Sequence, residues 1–270
     1  MDSDLNAWLQ LIIRWVHVFA SILWVGTTYF FTWLDGRFTE LEKNKEPGKR
    51  HVWMVHSGGF YLVEKQQNPQ LMPQKLHWFR WEAAITWLSG IFLLVLVYYT
   101  GGLMIDLEDS PISKSTAIML SVAFLIVGWL VYDLVWSSRL FRDERIGVTI
   151  SFVLVVMLTY VLCRLFSGRA AYMQMGAVFG TIMTANVWMR ILPPQRRMVS
   201  ALKEGRQPDL AEGLRAKTRS KHNTFLVVPL VFIMISSHFP VATYGHRYNW
   251  VILSVLVLAG WGAAKVIRRA

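Results

Sequence analysis

The sequence predicts an all-α integral membrane protein, a bundle of about seven transmembrane helices, and three observations lead there. Of its 270 residues 54% are hydrophobic, and the mean hydropathy is +0.37, too apolar for a soluble domain. Seven apolar runs approach or exceed the length needed to cross ~30 Å of hydrocarbon at ~1.5 Å of rise per residue. Lysine and arginine gather in alternate connections rather than along one stripe. The formal net charge of +11 therefore reads as membrane topology, not as a nucleic-acid surface.

The runs fall at about 8–34, 78–100, 115–136, 146–165, 170–192, 223–237 and 249–266. The first follows an acidic Met-Asp-Ser-Asp start with no basic n-region and no small-residue cleavage site, so it is read as a retained helix. The sixth is the shortest and contains Pro229, with His222 and His238 at its edges; neighbouring helices would have to shelter those groups. Trp8, Trp33, Trp78, Trp136, Tyr172, Trp188 and Trp250 mark run ends, as an interfacial aromatic belt does. The connections after runs one, three and five, with the C-terminal tail, hold about 21 Lys and Arg against about 4 on the opposite side. The N-terminus is expected outside and the C-terminus in the cytoplasm. The long connections 35–77 and 193–221 carry Gly, Pro and mixed charge, which predicts ordered loops with short helices inside one transmembrane domain, 1–270.

Ionisable groups at membrane depth are expensive and default to functional candidates. His17, His77, His222 and His238 sort into two levels, with His17 and His238 toward the outside and His77 and His222 at the inner edge. His222 and His238 are separated by ~24 Å of helical rise, near the spacing of two stacked redox centres. Paired imidazoles on facing helices can hold b-type haem. That makes His17, His77, His222 and His238 candidate metal ligands, with Arg14 and Arg80 as candidate partners for the haem propionates. Interfacial histidines that hydrogen-bond to headgroups are the competing reading. Arg80 and Glu82 cannot pair on one helix face, so each needs another partner, Asp133 being one candidate. Gly58-Gly59 suits either a close approach to a ligand or a plain turn. Asn186 is expected to bond across to another helix, and Met173, Met175 and Met183 to pack. The lone cysteine, Cys163, allows no CxxCH attachment and hence no covalent haem c.

The strings RWVHVFASILWVG, VHSGGFY, LHWFRWEAAITWLSG, FSGRAAYMQMGAVFGTIMTANVWMRILPPQRRMV and KTRSKHNTFLVVPLVFIMISSHFP resemble the membrane domain of the bacterial urate hydroxylase (membrane urate oxidase) family, over about residues 8–261. The resemblance implies a multi-pass protein of the bacterial inner membrane. Family members oxidise urate to 5-hydroxyisourate, and many continue into a further helix and a cytochrome c domain. The five histidines His17, His56, His77, His222 and His238 coincide with the family's motif positions. Five motif strings of the family are altered here: HGGG reads HSGG at Ser57, WEAY reads WEAA at Ala84, and NQRK reads PQRR at Pro194. HNNY reads HNTF at Thr224 and Phe225, and SNHY reads SSHF at Ser237 and Phe239. Most of these changes remove a hydroxyl or amide that a pocket reading a purine by hydrogen bonds would use, while the imidazoles remain.

The leading expectation is therefore a membrane redox protein that binds haem b through paired histidines and passes electrons to a separate cytochrome c or haem-c subunit. Urate hydroxylase activity is the second reading, with His56, Tyr61 and Arg219 as candidate catalytic residues on the cytoplasmic side. A cofactor-free structural subunit of a larger respiratory complex is the third. The charge asymmetry carries its own test: a reporter fused after Ala270 is expected to be active only in the cytoplasm, and periplasmic activity would show that the crossings have been miscounted.

Overall fold

The computed structural model describes residues 3–43, 51–66, 69, 73, 75–106, 110–138 and 143–268. In chain order these form α1 (Ser3–Lys43), β1 (His51–His56), β2 (Gly59–Glu64), α2 (Trp81–Leu93), α3 (Lys114–Ser137), α4 (Glu144–Leu165), α5 (Gly168–Ala185), α6 (Leu192–Lys203), α7 (Leu210–Ser236) and α8 (Asn249–Ile267). A π-helical stretch, Leu94–Thr100, continues α2, and another, Asn186–Ile191, joins α5 to α6. The second has a cause in the sequence. Pro193 and Pro194 begin α6, each lacks an N–H, and each ring crowds the carbonyl four residues back, so the preceding turn widens.

Six stretches are long and apolar enough to cross a membrane: α1, α2 with its extension, α3, α4, the α5–α6 run and α8. The expected sixth span differs. It is the second half of α7, whose first half, LAEGLRAKTRSKH, is polar; the apolar remainder rises only ~21 Å at ~1.5 Å per residue. Arg219, Asn223 and Thr224 on this helix are buried, Arg219 against Asp133 and Ser137 of α3, so α7 does not need to be apolar throughout.

Polarity is arranged as a lipid solvent demands. Trp15 and Leu134 are each 70% exposed, whereas Ser121, Thr159, Gln174 and Asn186 are fully buried. Without water, polar contacts between helices replace much of the hydrophobic drive. The Ser121 hydroxyl donates to Gln174 Oε1 at 2.6 Å between α3 and α5, and Thr159 and Ser254 share a 2.9 Å bond between α4 and α8. Trp87 Nε1 donates to Thr181 Oγ1 at 3.0 Å between α2 and α5.

Two expectations change. In place of short helices, the first long connection holds an antiparallel hairpin with His56 opposite Gly59. Its turn places Ser57 at φ 50° and Gly58 at φ 76°, the positive values a two-residue turn requires. β-branched and aromatic alternation in HVWMVH and GFYLVE explains the strands, and Val52 packs with Leu34 and Phe38 of α1. Tyr172 is no belt residue; it is fully buried, and its hydroxyl donates to the Asn249 carbonyl at 2.8 Å.

Helices α7 and α8 cross closely at Pro229 and Gly260. A Cβ on Gly260 would lie 2.9 Å from Pro229 Cδ and 2.9 Å from its backbone nitrogen, atoms that cannot rotate away. Gly260→Ala is expected to destabilise the bundle by about 1–3 kcal/mol, seen as a lower thermal midpoint in detergent. Gly180→Ala, where nothing lies within 4 Å, should leave the midpoint unchanged or raise it.

Candidate functional site

The polar centre of the bundle starts from one carboxylate. Asp133, near the end of α3, is buried, and Arg190 of the π turn meets both of its oxygens, with Nε at 2.8 Å from Oδ1. Arg219 of α7, also buried, donates from Nη2 to Asp133 Oδ1 at 2.9 Å and to Ser137 Oγ at 2.8 Å. Its guanidinium lies 5.1 Å from the centre of the Tyr132 ring. A single negative charge thus answers two arginines on two other helices, while Arg219 Nη1 stays buried without a hydrogen-bond partner among the described residues.

A hydrogen-bonded relay lies next to this cluster, and one carbonyl fixes its direction. The Met183 carbonyl can only accept, so Asn223 must turn its Nδ2 to it, at 3.0 Å. Asn223 Oδ1 then faces Asn186, whose Nδ2 donates to it at 3.0 Å and to the Tyr132 hydroxyl oxygen at 2.9 Å. Tyr132 Oη, already an acceptor for Asn186, lies 2.8 Å from His222 Nδ1, and giving its proton to that nitrogen is the assignment that leaves its hydroxyl hydrogen bonded. His222 is thereby the tautomer that carries hydrogen on Nε2, and its ring lies on Trp136 at 4.1 Å. Asn186 Oδ1 is left buried and unpartnered among the described residues.

His17 has the opposite tautomer. Its Nδ1 lies 2.9 Å from the Thr86 carbonyl and 3.1 Å from Ser89 Oγ, and Ser89 donates its own proton to the Ile85 carbonyl at 2.6 Å. Nδ1 therefore carries the hydrogen and Nε2 keeps its lone pair. Gly90 makes room for the ring, because a Cβ there would lie 3.1 Å from His17 Cε1.

Two cavities flank the relay. The first, ≈ 1060 Å³, opens between α1, the start of α2, α6 and α7, and is lined by His77, Glu82, Lys217, Asn223, Thr224 and Arg268 among others. Arg268 donates to Thr224 Oγ1 at 2.6 Å and has no ion-paired carboxylate among the described residues; burial lowers it from its ordinary value. Lys217 is 3.4 Å from Asp35. The second cavity, ≈ 1130 Å³, lies between α3, α4, α7 and α8 and is walled by apolar side chains, with His222 among its few polar groups.

Other expected site residues are placed as follows. His77 and His222 line different cavities, an arrangement that does not fit both imidazoles ligating one haem. His238 follows the end of α7 and is exposed. Among the described residues no three His, Cys, Asp or Glu side chains converge as metal ligands do. His56 sits at the hairpin tip, 2.6 Å from Ser57 Oγ, and Tyr61 is exposed on β2; neither lines either of these two cavities. Arg219 is committed to Asp133 rather than open to a substrate. Arg80 stacks on Trp81 and Trp188, 5.3 and 5.9 Å from the ring centres, so Asp133 serves Arg190 and Arg219 instead. Arg14 is exposed and bonds Gln10 at 3.3 Å. Asn186 does bridge helices, and Met175 and Met183 are buried in the core. Sequence reasoning missed Tyr132, Asn223, Thr224 and Arg268. Tyr132 beside Asp133, and Asn223 and Thr224 beside His222, were the available signals.

Fold and site together define a polytopic membrane bundle built around a buried, charged polar centre with a polar cavity on one side and an apolar one on the other. The chain belongs to the urate oxidase N-terminal family, whose profile matches residues 3–269. Comparisons with curated proteins and with solved structures gave no match.

Removing one partner from a buried ion pair costs about 3–5 kcal/mol, because the other charge stays in place. Asp133→Asn is therefore expected to abolish monodisperse, folded protein on size-exclusion chromatography. Arg190→Ala, whose side chain is 42% exposed, should retain it. Equal loss in both variants would refute the central role of Asp133.

Proposed function

We propose that this chain is the membrane component of an oxidoreductase acting on urate or a closely similar anionic purine. The polar cavity is its substrate site, and its basic end faces the cytoplasm. The observation that carries this reading is Arg268, a cation beside Thr224 and Asn223 with no ion-paired carboxylate among the described residues. An anion with planar acceptors complements such a fork. Trp24 and Trp78 on the cavity wall offer faces to a flat ring. Thr224, where the chain departs from the family's string, replaces a lost amide with a hydroxyl that accepts from Arg268.

Urate and water yield 5-hydroxyisourate with release of two protons and two electrons. His77 and Glu82, both at the cavity wall, are the groups placed to take a proton from the attacking water. The electrons pass to a separate acceptor of the cytochrome c class.

A second reading, haem b, is favoured by His17 alone. A ligating imidazole gives its other N–H to a carbonyl and keeps its lone pair for the metal, as His17 does with Thr86. Haem bound there would supply one-electron transfer. His222, with its proton on Nε2, does not fit that role.

Purified protein with added cytochrome c is expected to turn over urate. Arg268→Gln should lower kcat/KM about 10- to 100-fold, the ~1.5–3 kcal/mol of a hydrogen bond to a charged group, mainly through KM. Folded wild-type protein that neither binds nor oxidises urate would overturn the proposal.

A further inference from the structure

The apolar cavity has a polarity gradient that the substrate reading leaves unexplained. Its charged groups, Glu144, Lys221, Lys265 and Arg268, lie with His222 at the basic end of the bundle, and the rest of its wall is mainly apolar, with Tyr132, Trp136, Ser151 and Trp261 adding the remaining polar atoms. Measured along the helices, the wall runs from Trp136 to Phe124 on α3 and from Glu144 to Val161 on α4, which is ~18 and ~26 Å of rise. One leaflet with its headgroups is about 20 Å thick. Met157 and Leu258 on this wall are exposed to the lipid side, so an acyl chain can enter laterally.

The charges at the mouth choose the headgroup. Lys221 is neutralised by Glu144 at 2.5 Å, and Arg268 feels both Asp35 and Glu144, whereas Lys265 forms no ion pair with a carboxylate among the described residues. The mouth is therefore net cationic. Below it, the relay from the Met183 carbonyl through Asn223, Asn186 and Tyr132 leaves His222 with hydrogen on Nε2. His222 thus offers a neutral donor at the depth where a glycerol ester presents carbonyl acceptors.

We propose that this cavity is a specific site for one anionic phospholipid of the leaflet at the basic end. Its phosphate lies at Lys265, an ester carbonyl accepts from His222 Nε2, and one acyl chain follows the apolar wall between α3, α4 and α8. A zwitterionic lipid would bring an extra ammonium to the same cationic mouth and binds less well. A neutral isoprenoid quinone would leave Lys265 unanswered.

Native mass spectrometry of the purified full chain tests this, after exchange into equimolar phosphatidylglycerol and phosphatidylcholine. One phosphatidylglycerol should be retained in preference. Lys265→Gln should weaken its retention about fivefold, the equivalent of ~1 kcal/mol for one cation at an anionic surface. Gly262→Phe should remove it, because Gly262 lines this cavity and nothing lies within 4 Å of a Cβ there, so the ring enters the cavity without disturbing the fold. Inorganic phosphate at millimolar concentration should not displace the lipid; if it does, the mouth is an ion site and the proposal fails. Equal retention of the two lipids, an unchanged complex in folded Gly262→Phe protein, or a quinone retained in the lipid's place would each overturn it. Urate turnover is not the readout, so this result stands apart from the substrate reading.

Discussion

The buried carboxylate of Asp133 is the interaction on which the interior depends. A guanidinium inside a helical bundle is tolerable only if something answers it, and Asp133 answers the buried Arg219 as well as the partly exposed Arg190. It thereby ties the end of α3 to the widened turn between α5 and α6 and to the polar half of α7. That half could not otherwise lie against apolar helices. The same ion cluster sets Arg219 over the Tyr132 ring, next to the first donor in the chain that fixes His222.

Because the relay has a fixed direction, the two faces of α7 are chemically different. Asn223 and Thr224 look toward the polar cavity and His222 toward the apolar one, although the three are consecutive in sequence. One wall between two cavities can then serve a soluble anion on one side and lipid on the other. The unpartnered Asn186 Oδ1 and Arg219 Nη1 mark where polar satisfaction was given up to keep this arrangement, as happens at functional centres.

The membrane bundle was legible in the sequence because hydrocarbon imposes a rule that length and hydropathy reveal directly: every backbone group must be bonded within a helix. Six of the expected spans correspond to helices long and apolar enough to cross a membrane. The sixth run was visible only in part, since the N-terminal half of α7 is polar and mostly exposed and only its second half is apolar. The hairpin was hidden by its setting: HVWMVH and GFYLVE have strand composition, but a connection rich in Gly, Pro and charge suggests loops and short helices.

By itself the sequence determined the class of protein and the family, because these depend on composition, periodicity and local strings. Tertiary structure decided which groups meet. Depth along a helix is set by counting residues, but the direction in which a side chain points is set by rotation about the helix axis and by the packing of neighbours. Thus His77 and His222 are both placed at the basic end yet line separate cavities, and Arg219, suited by composition to a substrate anion, is bound to Asp133. The protons on His17 and His222 lie on opposite ring nitrogens because one ring faces the Thr86 carbonyl and the other the Tyr132 hydroxyl. No local string encodes that difference, since the partners are 69 and 90 residues away.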